Sequence, residues 1–477
     1  MPFLFQPPLK VLRVGSSLAV AMATISISSV AGAAGLDRST QPSWAFTQDG
    51  TFAYVEHITI NPSIEGKDSA AAKPTPHNYT PGHDIADMAE DYQFTNYGAK
   101  ADINDTVSVG VFFDQPWGAD VQYSGNNNFV NGTISAEQLQ QVAKNAKDAQ
   151  ELALTDGAKY KTSPTDKALA AAYEQSVKNA KLAGAAYNLA QYVANNPNEG
   201  TSVSVSSQNF TGLIGVKLGE QKNLQVYGGP VLQKLEGDVH LRGKAYSATQ
   251  GYDATFTETT GYGWMAGIAY SKPEIALKAA LTYRSEIDHD THGAEYLPAR
   301  QQSATNKITI TTPQSVNLDF QTGLNPTTLL NAKIRWVPWS DFAIKPQSYS
   351  DATKLVTDDK GQPLYPNGLN LVDYSDDAWT AEVGIGKKLS DRWAVTGNVG
   401  WDSGAGNPTT TLGPVEGYWS LGLGAKYNIT PEWSVSAGAK YLMFGDAKTK
   451  IPNNDVVGEF TDNHATVYGV RLSYQKK

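Results

Sequence analysis

The sequence predicts an all-β protein, a 14-stranded antiparallel transmembrane β-barrel with a short N-terminal plug and a helical extracellular loop insertion. Three observations carry this. From about residue 51 onward, apolar residues fall at every second position in segments of roughly ten, the period of a strand with one face on lipid and one on water. In three successive segments the apolar face is bracketed by aromatics: Trp393 and Trp401, Trp419 and Tyr427, Trp433 and Tyr441. At about 3.4 Å per residue and a tilt near 40°, each pair spans roughly 21 Å, close to the height of a barrel's apolar band. Finally, the linkers between segments alternate between tight and long, as when a chain is threaded back and forth with both termini on one side.

Composition narrows the class before any element is placed. The chain has 477 residues, 38 Lys plus Arg against 47 Asp plus Glu, and a formal charge of -9. A surface that acidic is a poor neutraliser of phosphates, so nucleic acid is not an expected partner. Cysteine is absent, which removes disulfides, thiolate metal sites and cysteine nucleophiles. With 24 Tyr and 10 Trp against 14 Phe, most aromatics have a polar tip of the kind favoured at a membrane interface.

At the amino terminus, Lys10 and Arg13 precede small and apolar residues over 14–30, and Ala31-Gly32-Ala33 offers the small side chains a signal peptidase needs. Residues 1–33 are expected to be a cleaved signal peptide. Serines, a threonine and a glycine dilute the apolar core, which argues against an anchor. Residues 34–50 precede the first strand, and 51–477 would be the barrel. The expected strands are 51–62, 90–102, 106–123, 200–219, 223–243, 254–271, 275–290, 306–324, 327–345, 377–389, 392–404, 414–427, 433–448 and 459–475. Closure of an even number of strands satisfies every backbone group in lipid.

The longest linker, 124–199, turns Ala-rich with helical spacing and should hold two helices. Ser135 and Gln138 form a capping box for the first, Ser163 before Pro164 marks the start of the second, and Pro197 closes it. Such a hairpin suits a position over the barrel mouth, either as a lid or exposed decoration or as a substrate-collecting surface. No hydrolase or metalloprotease motif surrounds any of the seven histidines. Asp288, His289, Asp290 and His292 have metal-like spacing but fall where a strand is expected to enter a loop, where solvated side chains are the simpler explanation. We expect no enzyme activity, metal or cofactor.

The stretches Gly261-Tyr262-Gly263-Trp264-Met265-Ala266-Gly267-Ile268-Ala269-Tyr270, Ala280-Leu281-Thr282-Tyr283-Arg284-Ser285-Glu286 and Trp336-Val337-Pro338-Trp339-Ser340-Asp341-Phe342, together with the region 393–441, resemble the long-chain fatty acid outer-membrane transporter (FadL) family, which includes aromatic-hydrocarbon uptake channels. The resemblance covers most of the mature chain and is strongest from residue 261 onward. It implies a bacterial outer-membrane location, a plugged barrel, a monomer, contact with outer-membrane lipid and lipopolysaccharide, and a kinked third strand that opens the wall sideways. Here the alternation Val107, Val109, Val111, Phe113 is broken by Asp114, Gln115, Pro116, Trp117 and Gly118. Proline removes a ladder donor and glycine relaxes the backbone, so the pair marks a bulge or break. The resemblance implies that the lateral opening lies at this position, the alternative being an ordinary bulge near the strand end. The family's plug usually carries Asn-Pro-Ala. The nearest Asn-Pro here, Asn61-Pro62, falls in the first strand, so the plug that the resemblance implies, residues 34–50, should be short.

The expected function is passive uptake of hydrophobic small molecules, fatty acids first and aromatic hydrocarbons second, with exit through the wall. The rival is a general porin for polar solutes. Lys278, Arg284 and Arg335 fall on the lumen face and are the expected partners of a fatty-acid carboxylate, with structural pairing to Glu286, Glu382 or other acids equally able to explain each one. Phe112, Leu213 and Leu442 would make that lumen apolar, against the porin.

Overall fold

The computed structural model describes residues 37–38, 41–69, 81–358 and 360–476. The expected signal peptide lies outside the described residues. Fourteen strands form one antiparallel barrel: β1 (Thr51–Ser63), β2 (Tyr92–Asp102), β3 (Val107–Asp114, resuming as Gly118–Gln122), β4 (Ser202–Leu218), β5 (Leu224–His240), β6 (Asp253–Lys272), β7 (Leu277–Arg284, then Ile287–Leu297), β8 (Gln302–Thr312, then Ser315–Asn325), β9 (Thr328–Val337), β10 (Ala378–Lys388), β11 (Trp393–Asp402), β12 (Glu416–Asn428), β13 (Trp433–Gly445) and β14 (His464–Lys476). The ladder closes where Thr51–Ser63 pairs along its whole length with His464–Lys476.

Alternation sorts the side chains. Trp393, Val395, Val399 and Trp401, Trp419, Leu421 and Leu423, and Tyr468, Val470 and Leu472 face outward, where lipid belongs. Aromatics meet across strands at one rim, Trp393 with Tyr427 at 4.8 Å and Trp433 with Tyr474 at 5.1 Å between ring centroids. Arg284, Arg335, Glu382, Lys426, Lys440 and Arg471 are buried inside. A charge on the lipid side would cost roughly 2–4 kcal/mol at midplane, and inside it finds partners. Lys440 Nζ lies 2.6 Å from Glu382 Oε2, and Asn398 donates to Glu382 Oε1 at 3.2 Å. Arg471 donates to Glu56 Oε1 at 2.6 Å.

The segment 41–50 runs inside the barrel. Its one helical turn, α1 (Ser43–Phe46), packs Phe46 against Phe112 and Tyr227, while the Arg471 guanidinium lies 4.3 Å from the Trp44 ring centroid. Polar bonds tie the segment to walls on several sides. Gln41 donates to Ser315 of β8, Lys278 of β7 donates to the Thr47 carbonyl at 2.6 Å, and Lys100 of β2 donates to the carbonyls of Gln48 and Gly50 at 2.8 and 2.9 Å. Over the opposite end, linkers fold into a five-stranded cap of Gly66–Asp68, Asp84–Ile85, Thr409–Thr410, Ala447–Lys450 and Val456–Phe460.

The third strand breaks after Asp114 and resumes at Gly118, where the alternation is interrupted in the sequence. Three expectations need correction. The seventh and eighth strands reach Leu297 and Gln302, so a short turn over Pro298–Arg300 replaces a long linker. The expected ninth strand, 327–345, stops at Val337 because Pro338 cannot donate to the ladder. In the longest linker, α2 (Ala136–Thr162) carries the Ser135/Gln138 capping box, but α3 (Lys167–Asn195) is capped by Asp166, which accepts from the amides of Ala168 and Leu169; Ser163 ends α2 instead.

The hairpin of α2 and α3 buries little of its surface. Its buried residues are few, Gly157 under the Tyr173 ring and Ser176, Ala190 and Val193 on α3. It is fastened near the end of α3, where Asn188 donates to Ala299 and Tyr192 meets Tyr296. At 1.5 Å per residue each helix is about 40 Å long, and most of that length is solvated.

Lys440→Met should strand the Glu382 carboxylate inside the wall at a cost of about 3–5 kcal/mol. The measurement is the urea midpoint of the detergent-folded barrel, followed by the mobility shift on heating. An unchanged midpoint would show that the pair contributes little.

Candidate functional site

The break in β3 sits where the wall has lost its ladder on one side. Val107–Asp114 pairs with both β2 and β4, but among the described residues Gly118–Gln122 pairs with β4 alone and meets the β1–β2 linker at the Ala89–Val121 bridge. Two substitutes satisfy the backbone there. Ser207 of β4 accepts from the Trp117 amide at 2.8 Å and donates to its carbonyl at 2.7 Å. From the other side the N-terminal segment enters, with Asp37 bridging to Trp117 and the Arg38 amide donating to the Pro116 carbonyl at 2.6 Å.

Arg38 fills the space β2 leaves. Its guanidinium lies 4.2 Å from the Tyr92 ring centroid and 3.9 Å from Asp120. A Cβ on residue 118 would fall 2.4 Å from that guanidinium carbon, so any larger residue there would have to push the Arg38 side chain aside. Burial holds the Arg38 pKa below the usual arginine range. Burial also pushes the Asp37 carboxyl up, with Arg335, whose Nε donates to Asp37 at 2.7 Å, pulling it back down.

Trp117 is buried and joins two environments. The Arg284 and Arg335 guanidiniums lie 5.8 and 5.6 Å from its ring centroid. With the Asn209 and Gln233 amides turned so that their oxygens face the guanidinium, both accept from Arg284, and the Gln233 amide nitrogen donates to Thr312 and His289. Toward the capped end, Trp117 lines a small apolar chamber. Val203, Val205, Leu235, Val239, Phe256 and Ile310 come from the barrel wall; Trp339, Phe342, Ile344, Tyr374 and Leu412 come from linkers folded inward.

Glu295 of β7 pins the inward linker. Its carboxylate accepts from the Ser348 and Tyr349 amides at the start of α4 (Gln347–Thr353), from Tyr252 Oη and from Asn306. Nothing in the sequence singled out Glu295, because the partners that define it are distant in the chain. Trp339, Phe342 and Ile344 were visible as apolar residues but read as the end of a strand.

The expected site residues separate into groups. Lys278 bonds the plug, and Phe112 and Leu213 belong to the buried cluster around Phe46. Arg284 and Arg335 flank Trp117 outside the chamber lining, and Leu442 is buried in the larger core cluster without lining the chamber. Of the expected opening, Asp114 is buried, with Asn209 3.5 Å from it; Gln115 is half-buried; Pro116 carries the carbonyl bonded by Arg38. The Asp288–His292 run is strand rather than loop. It places His289 inside and Asp288, Asp290 and His292 outside.

Comparison with known families bears on this plugged and broken barrel. Residues 232–475 match the family described as outer membrane protein transport protein (OMPP1/FadL/TodX). The chain belongs to this family. Among solved structures, a FadL homologue from Pseudomonas aeruginosa superposes with a TM-score of 0.59 at 16% identity, covering 93% of this chain and 96% of that one. The Pseudomonas putida toluene transporter TodX superposes at 0.51 with 9% identity, covering 96% and 97%. At such identities the likeness is one of fold. No curated protein matches the sequence. Family membership makes the chain an outer-membrane transport barrel rather than an enzyme.

Val205→Trp together with Leu235→Trp should fill the chamber. Retention of a neutral hydrophobic probe, N-phenylnaphthylamine, by the purified barrel, read by its fluorescence, should weaken at least tenfold, the equivalent of losing roughly 60 Å² of buried apolar surface at about 25 cal/mol per Å². Unchanged retention would place the probe elsewhere.

Proposed function

We propose that this barrel is a passive uptake channel for hydrophobic compounds, which collect in the apolar chamber and leave sideways through the break in β3 into the outer leaflet. The observation that carries the reading is the position of Trp117: one side chain belongs both to the chamber lining and to the broken strand. A solute leaving there would pass from an apolar pocket to lipid without crossing the plug, and Arg38 is the stopper it would displace. The alternative of a porin for polar solutes requires an aqueous path lined by charge, and the lumen beside the break is instead filled by α1 and its aromatic partners.

Both fatty acids and aromatic hydrocarbons fit an apolar chamber, and the lining ranks them. A fatty acid needs a cation for its carboxylate. Lys278 bonds the plug, Arg335 bonds Asp37, and Arg284 is engaged by Asn209 and Gln233. The lining itself carries threonine hydroxyls and one acid, Glu236, with no cation. This favours an uncharged hydrocarbon over a fatty-acid anion.

Replacing Asp114 through Gly118 with alternating Val and Thr should restore a regular strand. The expected result is a folded barrel whose cells take up toluene at the rate of cells lacking it. Uptake at the unaltered rate would overturn lateral exit, and a competing loss of oleate uptake alone would restore the fatty-acid reading.

A further inference from the structure

A second discontinuity interrupts the wall three strand interfaces away. Residues Asp253–Phe256 of β6 pair with Gly293–Tyr296 of β7, and Met265–Lys272 pair with Leu277–Arg284, in the same register. Between them, residues 257–264 and 285–292 face each other without ladder pairing. At this level β7 is broken at Ser285 and Glu286 and β8 at Pro313 and Gln314, so Ile287–Leu297 and Gln302–Thr312 form a hairpin of their own. A slot in a barrel wall leaves backbone groups to be satisfied by other means.

Side chains close the slot. At its lower end the Ser285 amide donates to the Trp264 carbonyl and the Trp264 amide donates to Ser285 Oγ, each at 3.0 Å. Above that, Thr291 donates to the Thr257 carbonyl at 2.7 Å, the hydroxyls of Thr257 and Thr291 are 3.1 Å apart, and Thr259 donates to the Asp290 carbonyl at 2.9 Å. Gly261 and Gly263 make room for Ile287; a Cβ on either would come within 2.6 Å of it. Thr257, Thr259 and Thr291 line the chamber, and Thr257 is also exposed on the outer surface, so here the wall is one side chain thick.

We propose that the slot between β6 and β7 is a second lateral port, through which uncharged apolar solutes enter the chamber from the outer-membrane interface, with Thr257, Thr259 and Thr291 as its latch. Its height fits that role: the exposed Tyr262 and Trp264 on β6 mark the aromatic belt at its lower half. Its rim selects by charge. Glu258, Glu286, Asp288 and Asp290 are exposed around it, with Lys234 pairing Glu258 at 2.8 Å, and this acidic edge disfavours carboxylates and phosphates while leaving a neutral ring unaffected. Three hydroxyl-mediated bonds are a smaller barrier than a continuous ladder, and their loss uncovers no unpaired charge.

The port rests on the chamber reading above, and the experiment separates the two. The chain has no cysteine, so Thr257→Cys with Thr291→Cys creates a single reducible staple across the slot. The probe is N-phenylnaphthylamine, a neutral dye that fluoresces in apolar surroundings, added to the barrel in lipid nanodiscs. Oxidation should slow dye loading several-fold without changing the amount bound at equilibrium, and reduction should restore the rate. The paired change Thr257→Val and Thr291→Val should speed loading by about fivefold for each hydrogen bond lost. The anionic analogue anilinonaphthalene sulfonate should load at a rate the staple does not alter.

Unchanged dye loading with the staple formed, or with both threonines replaced by valine, would overturn the port while leaving the chamber intact. Equal slowing of the anionic dye would overturn its charge selectivity. Failure of the unaltered barrel to bind the neutral dye at all would overturn the chamber reading, and the port with it.

Discussion

Everything in this structure follows from the need to pair backbone N–H and C=O groups where water is absent. Closure of β1 on β14 meets that need for most of the wall. Where the ladder fails, substitutes stand in its place: the Arg38 amide and the Ser207 hydroxyl at the β3 break, and serine and threonine hydroxyls between β6 and β7. A membrane barrel cannot carry an unsupported hole. The interrupted stretches are therefore positions at which a side chain or a plug amide has taken over a ladder bond, and both border the same apolar chamber.

Charge placement is the same constraint seen from the side chains. The lumen holds ions that lipid would reject, and several of them are engaged by the protein itself. Lys440 and Glu382 neutralise one another, Arg471 pairs with Glu56 beneath Trp44, and Lys278 and Lys100 hold the plug by its carbonyls. Cations that a sequence reading assigns to a ligand are thereby spent on the protein. The chamber is left to apolar side chains and a few hydroxyls.

Much of the fold was legible because a strand's period is two and lipid enforces it. Trp393 to Trp401 could hardly face anywhere but outward, and the tight turns fixed the strand count. Pro116 and Gly118 announced the β3 break for the same local reasons. The second discontinuity gave no comparable warning, because Ile287, His289 and Thr291 keep perfect alternation through the stretch where the ladder is lost. The chamber was hidden for a different reason. Its inner side is built by a linker after Pro338 whose path depends on Glu295, a contact across 53 residues or more that no local pattern records. Arg38 was equally silent, since its role exists only once β2 and β3 have parted.

The plug has a mechanical meaning as well. The segment 41–50 is bonded to β2 through Lys100 and, on another part of the wall, to the neighbouring β7 and β8 through Lys278 and Ser315, so it spans the lumen as a tie-rod between β2 and that pair of strands. A tube braced across its diameter cannot flatten. Withdrawing the rod would soften the cross-section along with clearing the lumen, and the weakest parts of the circumference, the two interrupted stretches, would absorb the change in shape.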